Sequence, residues 1–505
     1  MSRGFDNEKY LAEQTEAITR RVGQFDNKLY LEFGGKLCFD YHAARVLPGY
    51  DPNVKLRLLQ KLKDNAEILM SVYSGDIEKG RVRGDFGITY DSATFKLIDD
   101  LRKWDLELTG VVITRYSGQS LVDVFINKLR RRGIRVFKQY PIDGYPANVD
   151  LVVSENGFGR NEYIETHKPI IVVTAPGPNS GKLSTCLSQL YNEHTRGINA
   201  GYAKFETFPI WNLPLKHAVN VAYEAATADI LDFNLVDPFH LNAYSQTAIN
   251  YNRDVESFPI LKMILERIYS DKGSPYKSPT DMGVNRAGFG IVNDEAVTEA
   301  ARQELIRRYF RYNAESVRGV GRRETVDRVI SLMEEMGVRI TDRPAVMKAR
   351  EAAEDAEAEG KGNNGIFCGA AIQLKDGRLV TGKNSRLMHA ASSLLLNSLK
   401  ALAKLPDEIL LLSPQIIGQI SRLKKGMLDM ETESLDLEET LIALSISAAT
   451  NHTAELALKK IPELKGCEVH MTHIATPGDE AGLMRLGVNL TTDGKFSSPN
   501  LYNGG

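Results

Sequence analysis

The chain has 505 residues, more than one hydrophobic core usually holds, so we expect about three domains. Its formal net charge of -2 excludes a general electrostatic attraction of the whole chain to nucleic acid or to an anionic membrane. Hydrophobic residues make up 43% and charged residues 25% of the chain, as is typical of a soluble globular protein. No apolar run approaches the roughly 20 residues that would span a bilayer.

Two features predict a cytoplasmic protein. The first residues, MSRGFDNEKYLAEQ, lack the apolar centre of a signal peptide. The cysteines Cys38, Cys186, Cys368 and Cys467 are far apart and form no C-x-x-C pair. This spacing favours a reducing compartment and argues against a disulfide framework or a cysteine-rich zinc site.

The first part of the chain alternates between short apolar runs and helix-like stretches. A polar, helical lead-in over 1–24 precedes them, and helices are expected near 53–66 and 92–104 and in SLVDVFINKLRRRG. The expected strands are LYLEF, ILMSVY, LTGVVITRY, IRVFKQY, NVDLVVS and IIVVTA. Such alternation predicts an α/β domain over 1–225 with a doubly wound parallel sheet.

Polar loops follow two of these strands. Gly34-Gly35-Lys36 ends the first strand, where it can hold an anion or form a simple bulge. Ligands of open α/β sheets bind at the carboxyl ends of strands, and this makes the loop SGDIEKGRVRGDFG a second candidate. A solvated, charged surface loop is the alternative. The candidate loop carries Asp76, Lys79, Arg81, Arg83 and Asp85 among its glycines.

The stretch IIVVTAPGPNSGKLSTCLSQL has the layout of a phosphate-binding loop, with a strand, a Gly-rich turn and a helix. Glycines let backbone N–H groups approach an anion, and the helix N-terminus adds the positive end of its dipole. The stretch departs from the standard pattern, because Pro176 replaces the first glycine and Leu183 replaces the magnesium-binding hydroxyl. A tight structural turn is the alternative. The predicted phosphate-binding residues are Gly177, Asn179, Ser180, Gly181, Lys182, Ser184 and Thr185.

The segment 226–360 changes from a mixed, polar region to helices. Asn, Asp, Tyr and His are dense over 217–254, and a long loop, PYKSPTDMGVNRAGFGI, follows. This predicts a site lining, although such groups also satisfy one another in a structural seam. Apolar spacing predicts helices over 293–357, and we place a domain boundary near 360. The predicted substrate-binding residues are His217, Glu224, Asp237, His240, Asn252, Arg253, Lys277 and Asp281.

The C-terminal segment, 361–505, resembles the cytidine deaminase superfamily. IFCGAAIQLKDGRLVTGKNSRLMHAASSLLL is similar to the superfamily's opening hairpin and helix, where His-Ala-Glu supplies a zinc ligand and a proton carrier. This chain has His389-Ala390-Ala391, and Pro477 is followed by Gly478 and Ala481 at the two cysteine positions. The resemblance implies an α/β deaminase-like domain that lacks its zinc ligands and cannot deaminate by that mechanism.

Taken whole, the chain resembles a conserved bacterial protein family of unknown function. The motifs that carry this resemblance are LYLEFGGKLCFDYHAARVLPGYDP, VTAPGPNSGKLSTCLSQLYNE, AYEAATADILDFNLVDPFHLNAYSQTAINYNRDVESFP and YKSPTDMGVN. The resemblance brings no catalytic residue with it. Members are sometimes labelled ATP-dependent zinc proteases, but this chain contains no His-Glu-x-x-His motif.

Two functions remain open on the sequence. The first is an enzyme that acts on a phosphorylated or nucleotide small molecule in a cleft between the first and middle segments, with Lys36, Asp76 or Asp254 handling charge or protons. The second is a non-catalytic sensing or assembly protein whose deaminase-like domain mediates oligomerisation. The sequence identifies no cofactor beyond the Mg²⁺ that would accompany a nucleotide. Nucleic acid, membranes and a metal site are not expected, whereas a homo-oligomer is.

Overall fold

The computed structural model describes residues 3–83, 87–270, 273–430 and 432–498. The chain forms two compact units. The N-terminal unit contains the described residues up to 227 and from 231 to 301, and the C-terminal unit contains 228–230 and the described residues from 302 onward. The division into 1–225, 226–360 and 361–505 stays a prediction beside these two units.

The N-terminal unit is built on a six-stranded sheet in which every neighbouring pair of strands is parallel, as the alternation of strands and helices predicts. The strands lie in the order β4-β3-β2-β5-β1-β6, and a separate antiparallel pair joins β7 to β8. Its helices and strands are α1 (Asn7–Val22), β1 (Leu29–Phe33), α2 (Tyr41–Val46), α3 (Val54–Lys61), β2 (Ala66–Tyr73), α4 (Ser74–Glu78), α5 (Tyr90–Lys103), β3 (Leu108–Thr114), α6 (Ser120–Arg130), β4 (Val136–Lys138), α7 (Val149–Val152), β5 (Ile170–Thr174), α8 (Lys182–Thr195), β6 (Gly201–Phe205), α9 (Ala218–Ala226), β7 (Asn234–Val236), α10 (Pro238–Tyr244), β8 (Ile249–Tyr251), α11 (Asn252–Tyr269) and α12 (Pro279–Met282).

One predicted strand is wrong. NVDLVVS forms the single-turn helix α7, and the Asn148 side chain accepts a hydrogen bond from the Leu151 N–H at 3.2 Å. An apolar run this short suits one helical turn as well as a strand, and the asparagine cap decides between them.

The C-terminal unit places a four-stranded mixed sheet against helices. The strand order is β10-β9-β11-β12; β9 runs antiparallel to β10 and β11, whereas β11 and β12 are parallel. Helices form as predicted over 293–357. The elements are α13 (Asp294–Val317), which begins in the N-terminal unit, α14 (Arg323–Glu335), α15 (Pro344–Ala358), β9 (Gly369–Gln373), β10 (Leu379–Lys383), α16 (Ala390–Ala403), α17 (Pro414–Met427), α18 (Leu437–Ala448), α19 (His452–Leu458), β11 (Glu468–Met471), α20 (Pro477–Leu486) and β12 (Asn489–Thr492).

Apolar side chains from this sheet and from α16, α18 and α19 form the hydrophobic core of the C-terminal unit. Over the described ranges of the whole chain, no helix combines the length and the apolar character needed to cross a membrane.

Candidate functional site

The strand order creates a crevice at the carboxyl edge of the parallel sheet, the edge at which all six strands end. β1 and β5 are neighbours in the sheet. After β1 the chain crosses over β5 to reach β2, whereas after β5 it crosses over β1 to reach β6, so the two connections run in opposite directions. Connections that depart in opposite directions open a gap between adjacent strand ends, and open α/β sheets bind ligands there.

The predicted phosphate loop lies at this edge, between β5 and α8. Gly181 caps α8 in the left-handed region, with φ of +85°. The Ser180 hydroxyl donates to the Gly177 carbonyl at 2.6 Å, and the Thr114 hydroxyl at the end of β3 donates to the Ser180 carbonyl at 2.9 Å. The loop is therefore closed on itself and fastened to a neighbouring strand, with Lys182 as the first residue of the helix.

Two hydroxyl residues in the first turn of α8, Ser184 and Thr185, have different surroundings. The Thr185 hydroxyl is fully buried and within hydrogen-bonding distance of Ser71 Oγ at 3.1 Å and Gln139 Oε1 at 3.0 Å. The Ser184 hydroxyl instead forms a hydrogen bond with the hydroxyl of Tyr145, a residue that is 40% exposed. Ser184 is only partly buried, whereas Thr185 is fully buried.

A buried carboxylate on β1 lies between this loop and a second group of charges. Glu32 accepts a hydrogen bond from the Tyr202 hydroxyl at 2.8 Å. Burial raises the pKa of the Cys186 thiol; the charge of Glu32 adds to the rise, and that of Lys182 opposes it. The charge of Glu32 also raises the pKa values of Lys204 and Glu206. Glu32 therefore influences groups on both sides of β1.

The second group consists of Lys204, Glu206 and Asp254. The Lys204 ammonium lies 2.5 Å from Asp254 Oδ2 and 3.1 Å from Glu206 Oε1. Burial raises the pKa of Glu206 to about 7, even though Lys204 opposes the rise. Burial alone would lower the pKa of Lys204, but Asp254, Glu206 and Glu32 outweigh it and raise that pKa. The lysine therefore stays charged, and Glu206 is the group that changes its protonation near neutral pH.

Gly34 makes room for this group. A Cβ atom at Gly34 would lie 2.3 Å from Glu206 Cγ, so a side chain there would displace the carboxylate. The buried Lys55 donates to the carbonyl of Lys36 at 3.1 Å and to Asp40 at 3.2 Å, which holds the turn that contains Gly34.

A cavity of about 290 Å³ opens beside the charged group, inside the N-terminal unit. Its lining includes two of the predicted substrate-binding residues, His240 and Asp281, and the predicted proton carrier Asp254. Lys204, Glu206 and Trp211 also line it. The cavity thus brings three predicted site residues together with residues that the sequence did not indicate.

The remaining predicted residues of the middle segment lie elsewhere and hold local structure. Asp237 is fully buried and accepts hydrogen bonds from the Phe239, His240 and Thr280 amides and from the Thr280 hydroxyl. Each of the others also has a structural partner. His217 pairs with Asp294 and caps α9, Glu224 accepts from the Asn234 amide, Asn252 accepts from the Phe233 amide, Arg253 pairs with Asp232, and the Lys277 ammonium lies over the Tyr244 ring.

The two other predicted proton carriers, Lys36 and Asp76, do not line the cavity. Lys36 is exposed in the turn after β1. Asp76 is buried in the short helix α4, and its carboxylate lies 3.3 Å from the Arg81 guanidinium. Asp85, from the same predicted loop, lies outside the described residues.

Sequence reasoning missed Glu32, Lys204 and Glu206: Glu32 stands in the LYLEFGGK stretch, but none of the three belongs to a pattern with a recognised ligand. The available signal was a charged residue inside or directly after an apolar strand, in LYLEF and in YAKFE. A charge in a buried strand requires a partner, and here the partners come from neighbouring strands and from α11.

In the C-terminal unit, His389 makes a specific contact at the N-terminus of α16. Its Nδ1 lies 2.8 Å from Oδ2 of the fully buried Asp479, near the start of α20. Asp479 also accepts from the Thr476 hydroxyl and the Leu437 amide. A hydrogen-bonded pair therefore joins the starts of two helices. Across the described ranges, no group of three or more His, Cys, Asp or Glu side chains is arranged to hold a metal ion.

These features define an α/β protein with a six-stranded parallel sheet and a cavity lined by polar side chains in its N-terminal unit. The chain belongs to the DUF1846 family: the N-terminal model of this domain of unknown function matches residues 3–337, and its C-terminal model matches 341–502. It is 54% identical over 502 residues to UPF0371 proteins of Clostridium botulinum strains Eklund 17B (Type B) and Alaska E43 (Type E3), covering 99% of each chain. A UPF0371 protein of strain Loch Maree (Type A3) is 54% identical over 500 residues, again with 99% coverage of both chains.

Proposed function

We propose that the N-terminal unit binds a phosphorylated small molecule at the carboxyl edge of its parallel sheet and acts on it by proton transfer. The observation that carries the proposal is Glu206, whose pKa of about 7 is set by burial beside Lys204 and Asp254. A carboxyl group that titrates near neutral pH can both accept and donate a proton under ordinary conditions. Charged groups collected in a cleft with perturbed pKa values favour chemistry over a purely structural role.

The phosphate would be held by the loop between β5 and α8. Backbone N–H groups at the start of α8 and the Lys182 ammonium supply positive charge, and Ser184 supplies a hydroxyl that is not committed to the core. Thr185 is better suited to fixing the helix against β2, because its hydroxyl is fully buried between Ser71 and Gln139. If the ligand is a nucleotide, Mg²⁺ would accompany its phosphates.

We assign the predicted proton carriers different roles. Asp254 is the partner that keeps Lys204 charged, and Glu206 takes the acid–base role. Asp76 is already paired with Arg81, and this favours a structural role for it.

The C-terminal unit supports a second, non-catalytic proposal. The unit contains a hairpin, four helices, a strand, a helix and a strand in that order, and His389 stands at the start of the first of these helices, α16. Its partner is Asp479, from the segment that would carry the two cysteine ligands of a zinc site. We propose that this unit keeps a deaminase-like shape as a binding or assembly module, stabilised by a hydrogen-bonded pair in place of a metal.

A thermal-shift experiment tests the enzyme proposal. Purified protein is heated with phosphate, sulfate, nucleotides or sugar phosphates, with and without Mg²⁺, and a ligand of the folded state raises the melting temperature. We expect Lys182→Ala to abolish the shift produced by the best phosphate compound, and Lys262→Ala, an exposed lysine on α11, to preserve it. If Lys182→Ala retains the full shift, the loop is not the phosphate site.

A further inference from the structure

The cavity beside Lys204 has a composition that restricts what it can bind. Its charged lining consists of the basic residues Arg20, Arg21, Lys204 and Arg286 and the acidic residues Glu206, Asp254 and Asp281. The basic and acidic side chains nearly balance, because Arg20 is 64% exposed and already paired with Glu16. The lining therefore favours a neutral ligand over a strongly charged one.

An apolar ligand is disfavoured for a different reason. The side chains of Lys204, Glu206 and Asp254 keep 21%, 18% and 19% of their surface exposed, so the group still depends on solvent from the cavity side. An apolar molecule would remove that solvent and offer no hydrogen bonds in return, which is unfavourable for ionised groups. The ligand must carry hydrogen-bonding groups of its own.

Trp211 provides a flat, fixed surface in the same cavity. Its indole N–H donates to the Asn285 carbonyl at 2.8 Å, and its own carbonyl accepts from the Ile249 amide at 2.9 Å. The ring of His240 lies 6.4 Å away, between centroids. Because the indole N–H is already bonded, what Trp211 offers a ligand is its apolar face.

We infer that this cavity binds a polyhydroxylated sugar ring, with its C–H face on Trp211 and its hydroxyls on Lys204, Glu206 and Asp254. A sugar is neutral, presents an apolar face and carries several hydroxyls that both donate and accept. Lys204 donates, Asp254 accepts, and hydrogen bonds to such charged groups are the stronger kind. The inference rests on the proposed function, since the substrate would then be a sugar phosphate; the loop after β5 contributes no residue to the lining of the cavity, so sugar and phosphate binding are tested separately.

Fluorescence provides a direct test, because the chain contains only two tryptophans. In a Trp104→Phe variant of the full chain, Trp211 is the only source of tryptophan emission. We expect glucose or ribose, or their terminal phosphate esters, to change that emission saturably. Asp254→Asn in the same background should weaken the binding by roughly tenfold or more, corresponding to the loss of one strong hydrogen bond. Trp211→Phe should weaken the stabilisation by the same sugar in thermal-shift measurements, whereas Trp104→Phe should not.

The outcomes separate this inference from the proposed function. Inorganic phosphate that stabilises the protein through Lys182, together with no Trp211 response to any sugar or sugar phosphate, would overturn the inference alone. A Trp211 response to an alkylammonium ion but not to sugars would overturn it too. A response to free sugars without any phosphate effect at Lys182 would sustain the sugar site and reject the phosphate loop.

Discussion

The Glu206 carboxylate lies 3.1 Å from the Lys204 ammonium, yet burial still raises its pKa to about 7 from the ordinary value of 4.5. The folded protein therefore holds this proton more tightly than the unfolded chain. The preference of the folded state for protonated Glu206 contributes fully to the free energy of unfolding below about pH 4.5, and this contribution is lost as the pH rises through about 7. Each unit of difference between the two pKa values corresponds to about 1.4 kcal/mol. The loss amounts to a few kcal/mol at most.

A Glu206→Gln variant isolates the contribution of Glu206 to the pH dependence of stability, because glutamine does not ionise. We expect the stability of the wild type relative to the variant to fall between pH 4.5 and 7 and then to level off. Urea denaturation at a series of pH values measures it, with Glu256→Gln on the exposed side of α11 as the control. Parallel pH profiles for wild type and Glu206→Gln would show that Glu206 titrates normally.

Gly34→Ala tests the contact that makes room for Glu206. The new Cβ would lie 2.3 Å from Glu206 Cγ, and we expect the resulting overpacking to destabilise the N-terminal unit by about 1–3 kcal/mol. Tryptophan fluorescence reports unfolding of this unit, since both Trp104 and Trp211 lie within it.

The double variant Gly34→Ala/Glu206→Ala supplies the control for that prediction. Glu206→Ala removes the atoms that the new Cβ would meet, so Gly34→Ala should be much less destabilising in that background. Equal effects of Gly34→Ala in both backgrounds would mean that the contact with Glu206 is not the reason for glycine.

The parallel sheet could be predicted because the pattern that indicates it lies within short stretches of the sequence. Apolar runs such as IIVVT alternate with amphipathic helices, and each run becomes a buried strand. The strand expected at 148–154 was wrong because its apolar run is short enough for one helical turn, and the deciding contact is the Asn148 cap. Periodicity alone does not contain that information.

The site was predictable only in part. His240, Asp254 and Asp281 were singled out because polar residues are dense along their segment, and they do line one cavity. Lys204 and Glu206 reach the cavity from β6. Glu32, on β1, affects them only through its charge, because β1 lies beside β6 in the strand order β5-β1-β6. That order depends on contacts between residues more than one hundred positions apart, and no motif spacing records it.

The hydrogen-bonded pair of the half-buried His389 and the fully buried Asp479 should make the stability of the C-terminal unit depend on pH. Burial alone would lower the pKa of His389, but Asp479 outweighs it and the pKa is raised above the ordinary 6.5; Asp479 itself has a lowered pKa. The His389 contribution is complete below pH 6.5 and is lost as the pH rises through the raised pKa. The Asp479 contribution is present above 3.8 and is lost as the pH falls through the lowered pKa.

Asp479→Asn should therefore destabilise the protein most between pH 3.8 and 6.5, by about 1–3 kcal/mol, and less at higher pH. NMR titration of the imidazole signals should also show the pKa of His389 falling in the variant, because burial then dominates. Glu455→Gln, which removes an exposed carboxylate 3.3 Å from His452, is the matched control and should change little. An unchanged pKa of His389 in Asp479→Asn would contradict the pairing.

Arg343 should be the most sensitive charged residue of the C-terminal unit. Its fully buried guanidinium contacts Glu468 and donates to the Thr491 hydroxyl at 3.0 Å, to the Val469 carbonyl at 3.1 Å and to the Asn489 carbonyl at 2.7 Å. It thereby joins the start of α15 to β11 and β12. Burial alone would raise the pKa of Glu468, but Arg307 and Arg343 lower it to about 2, so the carboxylate stays ionised and needs its partners.

Arg343→Lys keeps the charge but cannot reproduce this fork of donors, so several buried acceptors lose their partner. We expect a loss of about 3 kcal/mol, within the range for breaking a buried ion pair, and a lower melting temperature for this unit by calorimetry. Arg339→Lys, at an arginine whose side chain is 83% exposed, provides the comparison and should melt like the wild type. If the two lysine variants melt alike, water or neighbouring groups satisfy the acceptors around Arg343, and the guanidinium is not what joins α15 to the sheet.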